Sequence, residues 1–215
     1  MLKILSAAFF VPSFVPFFVV LLVSLFVTVP NLVVAKTKID GSHIQPNNYY
    51  PRVKMITSMG DIIVELDRSR APITVNNFLR YVDKRSYEDT IFHRIVPEFV
   101  VQGGGYDTNF VIKPSFGKIF NESGNGLKNQ MYNITMAREK GPHSATRQFF
   151  FNMDNNDSLD PGRNWGYAVF GMVVEGYEVL DKMVNVKTDF DSTYGWSDVP
   201  VEQVILEKVI VLPPV

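Results

Sequence analysis

From Arg52 onward the chain is cut into short runs of β-branched and aromatic residues, and glycine, asparagine or aspartate punctuates nearly every gap. Val53, Met55 and Thr57 alternate with Lys54, Ile56 and Ser58, Met59-Gly60-Asp61 turns the chain, and Ile62 to Leu66 returns. This is the period-two pattern of a hairpin. Further strand-like runs follow at Thr90 to Ile95, Phe99 to Gln102, Tyr132 to Ala137, Gln148 to Asn152, Ala168 to Val173 and Val201 to Val211. Helical spacing occurs only twice. Pro72 suits a first turn and is followed by Val75, Phe78, Leu79 and Val82 at i, i+3, i+4 and i+7. A second helix is expected over about Tyr177 to Val186, with Leu180, Met183 and Val184 inward. Many short strands with two helices restrict the fold to a closed β-barrel or a sandwich, and the pattern alone does not choose between them.

Ahead of this lies a different kind of sequence. Ile4 to Ala35 carries no charge and is rich in Phe, Val and Leu, with Lys3 as a short basic start and Val33-Val34-Ala35 as small residues before Lys36. These are the features of an export signal at 1–35. Pro12, Pro16 and Pro30 interrupt the run, and Phe17 to Val29 is shorter than the ~20 residues a spanning helix needs. An uncleaved membrane anchor through residues 4–35 is the alternative, and both place the folded part outside the cytoplasm. The polar stretch 36–51, with Gly41, Pro46 and Asn47-Asn48, reads as a linker, and 52–215 as the functional domain. The formal charge of the chain is -1 and no basic stripe stands out, which argues against a nucleic-acid partner. The absence of cysteine excludes disulfides and a thiol nucleophile. The three histidines, His43, His93 and His143, have no spacing that suits a metal.

Three segments carry the chemistry. The first, Phe92-His93-Arg94-Ile95-Val96-Pro97-Glu98-Phe99-Val100-Val101-Gln102-Gly103-Gly104-Gly105, sets an arginine, aromatic rings and a glutamine in a strand-like run that ends in glycines. The second is Gln148-Phe149-Phe150-Phe151-Asn152 and the third Gly166-Tyr167-Ala168-Val169-Phe170-Gly171. Neighbours on a strand face opposite ways, so of Phe149 and Phe150 one is expected in the core and the other in a groove. In this order the segments resemble the cyclophilins, the peptidyl-prolyl cis-trans isomerases of that fold, over about Arg52 to Pro213. Met136-Ala137-Arg138, Ser144-Ala145-Thr146 and Gln148 are closer to the bacterial periplasmic members than to the cytosolic eukaryotic ones.

The resemblance implies a mainly β fold, a closed eight-stranded antiparallel barrel capped by two α-helices. It implies catalysis of Xaa-Pro rotation with no metal or other cofactor. Arg94 matches the family's catalytic arginine. Phe99, Val100, Phe150 and Leu159 match its proline pocket, although periodicity alone would make all four ordinary core residues. Phe150 is the ring assigned to the groove. Gln102 matches the glutamine that hydrogen-bonds to the substrate backbone and helps hold the arginine, and Gln148 matches another polar groove residue that orients the peptide. Val100 replaces the usual Met, Tyr167 the usual groove His, and Ser158 the Trp that contacts cyclosporin in many members, so weak cyclosporin binding is expected. With the leader, the expectation is a periplasmic isomerase, inner-membrane anchored if the leader is retained, whose partners are proline-containing polypeptides such as folding envelope proteins. A peptide-binding module without turnover and a membrane-anchored partner protein are the competing readings.

Overall fold

The computed structural model of the chain describes residues 40–162 and 164–214, so the apolar leader at 1–35 lies outside the described residues. The opening hairpin is β1 (Arg52–Thr57) and β2 (Gly60–Leu66), and the expected alternation buries Val53, Met55 and Thr57 on one side of β1. Helix α1 (Pro72–Asp83) follows, with Val75, Phe78, Leu79 and Val82 buried. Its free N-terminal amides find their acceptor elsewhere in the chain: Ile73 and Thr74 N–H donate to the Glu122 carboxylate at 3.1 and 2.7 Å. Next come β3 (Thr90–Ile91), β4 (Arg94–Val96), β5 (Val100–Gly103), β6 (Asn133–Met136), β7 (Phe149–Asn152) and β8 (Val169–Glu175). Helix α2 (Tyr177–Met183) precedes β9 (Thr188–Asp191), β10 (Trp196–Pro200) and β11 (Ile205–Val211).

Nine strands form one sheet in the order β3-β11-β1-β2-β8-β6-β7-β5-β4, with every neighbouring pair antiparallel. Its two edges, β3 and β4, are separated in the chain by Phe92 and His93 alone. The sheet therefore curls until its ends meet through the backbone. Taken as two halves of one broken strand, β3 and β4 reduce the nine to the eight that the resemblance implies. The inward faces enclose an aromatic core in which the Phe149 ring lies edge-on to Phe78, Tyr87, Phe92 and Phe151, with centroids 5.5–6.2 Å apart. Gly103 and Gly104 fit this packing: a Cβ would meet the Phe92 ring at 2.7 Å at the first position and the Phe149 ring at 2.7 Å at the second. Gly104 also has φ +81°, a conformation that side chains resist.

Two features depart from the reading of the sequence. Asp189 to Asp198, acidic and expected to be a surface loop, instead contributes to β9 and β10, a separate two-stranded hairpin. Apolar packing outweighs its charge. Val199 is buried, and the Trp196 ring lies 4.7 Å from that of Tyr106. The polar stretch expected to be a linker is docked on the domain from Asp40 onward. The buried Arg68 guanidinium donates to the carbonyls of Ile44, Gln45 and Asn48 at 2.8, 2.6 and 2.9 Å. Gly41 sits against α1 so closely that a Cβ would meet the Arg80 nitrogen at 2.7 Å.

Candidate active site

The site grows from the register of three strands. Arg94 on β4 is opposite Gln102 on β5, which is opposite Phe150 on β7. Residues directly opposite share a face, so arginine, glutamine and phenylalanine project together on the outer side of the sheet. Their neighbours Ile95, Val101, Phe149 and Phe151 point inward and are fully buried. Val100, two residues before Gln102, joins the outer row. Pro97 and Glu98 turn the chain between β4 and β5, with Glu98 at φ +57°, and deliver Phe99 beside Val100.

Leu159 comes from a single 3₁₀ turn, Asp157–Leu159. That turn is pinned by the buried Asn156, whose side-chain amide donates to the Phe99 carbonyl at 2.9 Å and to Asn152 Oδ1 at 2.8 Å. Tyr167 follows, its N–H donating to the Leu159 carbonyl at 2.9 Å and its ring edge-on to Phe150 at 5.9 Å. Arg94, Phe99, Val100, Gln102, Phe150, Leu159 and Tyr167 thus line one cleft of about 150 Å³, with Ala137 and Arg138 completing the wall. Gln148 stands just outside, in an adjoining cleft of about 450 Å³ that shares Arg94 and Gln102. The two glutamines are joined, Gln102 Nε2 donating to Gln148 Oε1 at 3.0 Å.

The Arg94 guanidinium is 5.5 Å from the centre of the Phe99 ring, and its side chain is 37% exposed, so its charge is presented to the cleft mouth. His93, one residue earlier, is buried. Burial, with the neighbouring Arg94 charge second, lowers its pKa from 6.5 to about 4, so the ring is neutral at physiological pH. Two charged residues of the site escaped the reading of the sequence. Arg138 stacks on Tyr167 at 4.4 Å and donates from Nε to the Gly166 carbonyl at 2.9 Å. It belongs to the Met136-Ala137-Arg138 run, so its proximity to the site was traceable. Asp198, 4.0 Å from Arg94 Nε, gave no signal, because only the hairpin fold brings it there.

A cation beside an apolar pocket, with paired amides at the rim, can bind an amide bond and its flanking ring without offering a nucleophile. The sequence profile described as cyclophilin type peptidyl-prolyl cis-trans isomerase/CLD matches residues 52–211. The chain belongs to this family. Its cyclophilin domain is 45% identical over 164 residues to peptidyl-prolyl cis-trans isomerase cyp18 of Streptomyces antibioticus, covering 74% of this chain and 98% of that protein. It is 43% identical over 159 residues to peptidyl-prolyl cis-trans isomerase B of Escherichia coli K12, covering 72% and 96%. Among solved structures, a Cryptosporidium parvum cyclophilin type isomerase superposes with a TM-score of 0.64 at 25% identity, covering 77% of this chain and 99% of that one. The same parasite protein, solved in the presence of the dipeptide Ala-Pro, gives 0.63. By family, the cyclophilin domain is an isomerase of peptidyl-prolyl bonds.

Proposed function

We propose that the cyclophilin domain accelerates Xaa-Pro rotation in exported polypeptides, with Arg94 as the catalytic cation. The observation that carries this reading is the placement of one half-exposed guanidinium at the mouth of a pocket walled by Phe99, Val100, Phe150 and Leu159. Amide resonance sets a barrier of ~18–20 kcal/mol to rotation. A catalyst must bind the twisted amide more tightly than the planar one. As resonance is lost, the prolyl nitrogen regains a lone pair that can accept a hydrogen bond, and a rigid guanidinium fork fixed beside the ring meets that need only in the twisted state. The apolar walls and Tyr167 hold the proline ring while the preceding carbonyl turns. Gln102 and Gln148 offer amides to the peptide backbone. No bond is made or broken, so neither base nor metal has a role.

The uncharged Ile4 to Ala35, ending in small residues before Lys36, supports action in the periplasm on folding envelope proteins, with an inner-membrane tether if the leader is retained. The Ala-Pro dipeptide named with the Cryptosporidium structure supports proline-containing peptides as ligands here. The test is isomerisation of a short Ala-Pro peptide by the full-length chain with Arg94→Ala beside it. Turnover is expected to fall by roughly a hundredfold or more, with peptide affinity and unfolding midpoint nearly unchanged, since the arginine acts on the transition state. Retained turnover in Arg94→Ala would remove the arginine from the mechanism, and no turnover in the wild type would leave a peptide-binding module. Cell fractionation that found the protein in the cytoplasm would sink the export reading.

A further inference from the structure

We infer that Asp198 is a positioning residue for Arg94, holding the Nε edge of the guanidinium from the β9–β10 hairpin; the inference rests on the reading of Arg94 as the catalytic cation. Asp198 Oδ2 is 4.0 Å from Arg94 Nε, the one ion pair of Arg94 among the described residues. Gln102 Nε2 donates to Gln148 at 3.0 Å, and no hydrogen bond joins Arg94 to Gln102 Oε1 among the described residues, so the contact with Asp198 is unshared. The backbone supplies an independent sign. The ladder between β9 and β10 slips between Trp196 and Val199, and Asp198 stands in that bulge at φ +62°. A bulge beside a reactive group re-aims a side chain, and a non-glycine residue in the left-handed region persists only where its surroundings enforce it. Here they do. The Trp196 ring packs 4.7 Å from Tyr106 and 5.9 Å from His93, the residue that precedes Arg94, so hairpin and arginine are braced against the same rings.

The two side chains are 37% and 42% exposed, so the pair adds little to stability. Its effect is on orientation. A carboxylate on the Nε side narrows the directions open to a long side chain and leaves the terminal N–H groups toward the amide. A group that acts this way changes turnover more than binding.

The experiment uses the full-length chain, with kcat and KM measured on an Ala-Pro peptide and the Arg94 Nε–H signal followed by NMR. Asp198→Asn removes the charge at nearly constant size, and asparagine tolerates the left-handed conformation, so the fold is kept. We expect kcat to fall roughly three- to tenfold with KM within about twofold, the signature of lost transition-state orientation. The Arg94 signal should shift and broaden together with that loss, and Asp198→Glu should restore part of both. An Asp198→Asn variant with wild-type kcat and an unmoved Arg94 signal overturns the assignment. Arg94→Ala, run beside it, separates the two levels: if that variant keeps its turnover, the reading of Arg94 itself has failed, and the role of Asp198 falls with it.

Discussion

His93 and Arg94 show two neighbours on one chain segment sent to opposite environments. Arg94 stands partly exposed at the cleft mouth, whereas His93 is buried against Tyr106 and Trp196. Its pKa in the fold, about 4, is below the ordinary 6.5 of an unfolded chain. Between those values the unfolded chain binds the extra proton, so stability must fall as pH drops from 6.5 toward 4 and gain nothing above that window. At 1.36 kcal/mol per pKa unit the loss is about 3 kcal/mol. Urea unfolding across that range should show this slope in the wild type and a flatter one in His93→Gln; parallel slopes would contradict it. At the cleft rim, exposed Ser158 precedes Leu159, where many cyclophilins carry a Trp. Ser158→Trp should therefore raise cyclosporin affinity without lowering isomerisation, and a calorimetric titration showing no gain would count against this placement. Arg94, Phe99 and Gln102 were expected together because they lie on one β4–β5 hairpin of local register, whereas Phe150 reaches them through the long-range pairing of β5 with β7, which the resemblance implied and periodicity did not. Arg147 illustrates what was not legible. It is 1% exposed and donates to the carbonyls of Gly104, Pro114 and Ser86, three partners supplied by distant loops.

Elements fared according to how much of their stability is written in their own residues. Helix α1 and the β1–β2 hairpin were readable because periodicity and burial coincide. The β9–β10 hairpin was not, since its alternation is broken by a bulge and its apolar anchor, Trp196, packs on rings from another part of the chain. The polar stretch 36–51, expected to be a linker, is held from Asp40 onward for a related reason. Its polar composition suggests freedom, but its carbonyls are held by one buried arginine. Arg68→Ala should remove three charge-assisted hydrogen bonds and lower stability by about 2–3 kcal/mol. Limited proteolysis should then cut first within 40–50. A variant that resists cleavage there would show that other contacts, such as Gln45 to the Leu212 carbonyl at 2.7 Å, suffice to hold the segment.

For the whole molecule, closure depends on partners at opposite ends of the sequence. β11 lies between β1 and β3, with Met55 opposite Val209 and Leu206 opposite Thr90. It is thus an interior strand, flanked on both sides, although it is made last. Deletion of everything after Val204 should leave no cooperative unfolding transition by circular dichroism, and a truncated chain that melts sharply would contradict this. The sequence could show that β-rich runs exist and that a family barrel accommodates them, but not which strand bridges β1 and β3, because strand order is a property of pairing and not of any one run.

The position of β11 also sets a schedule. A ribosome that has delivered β1 through β10 has still not supplied the strand on which the barrel closes, so every shorter nascent chain remains open and Arg94 has no finished cleft to serve. Protease protection of stalled chains should accordingly appear only once Val211 has cleared the exit tunnel. For a chain that we propose is exported, this late closure keeps the polypeptide threadable through a translocation pore until β11 has been delivered, and it confines isomerase activity to molecules in which that strand is in place.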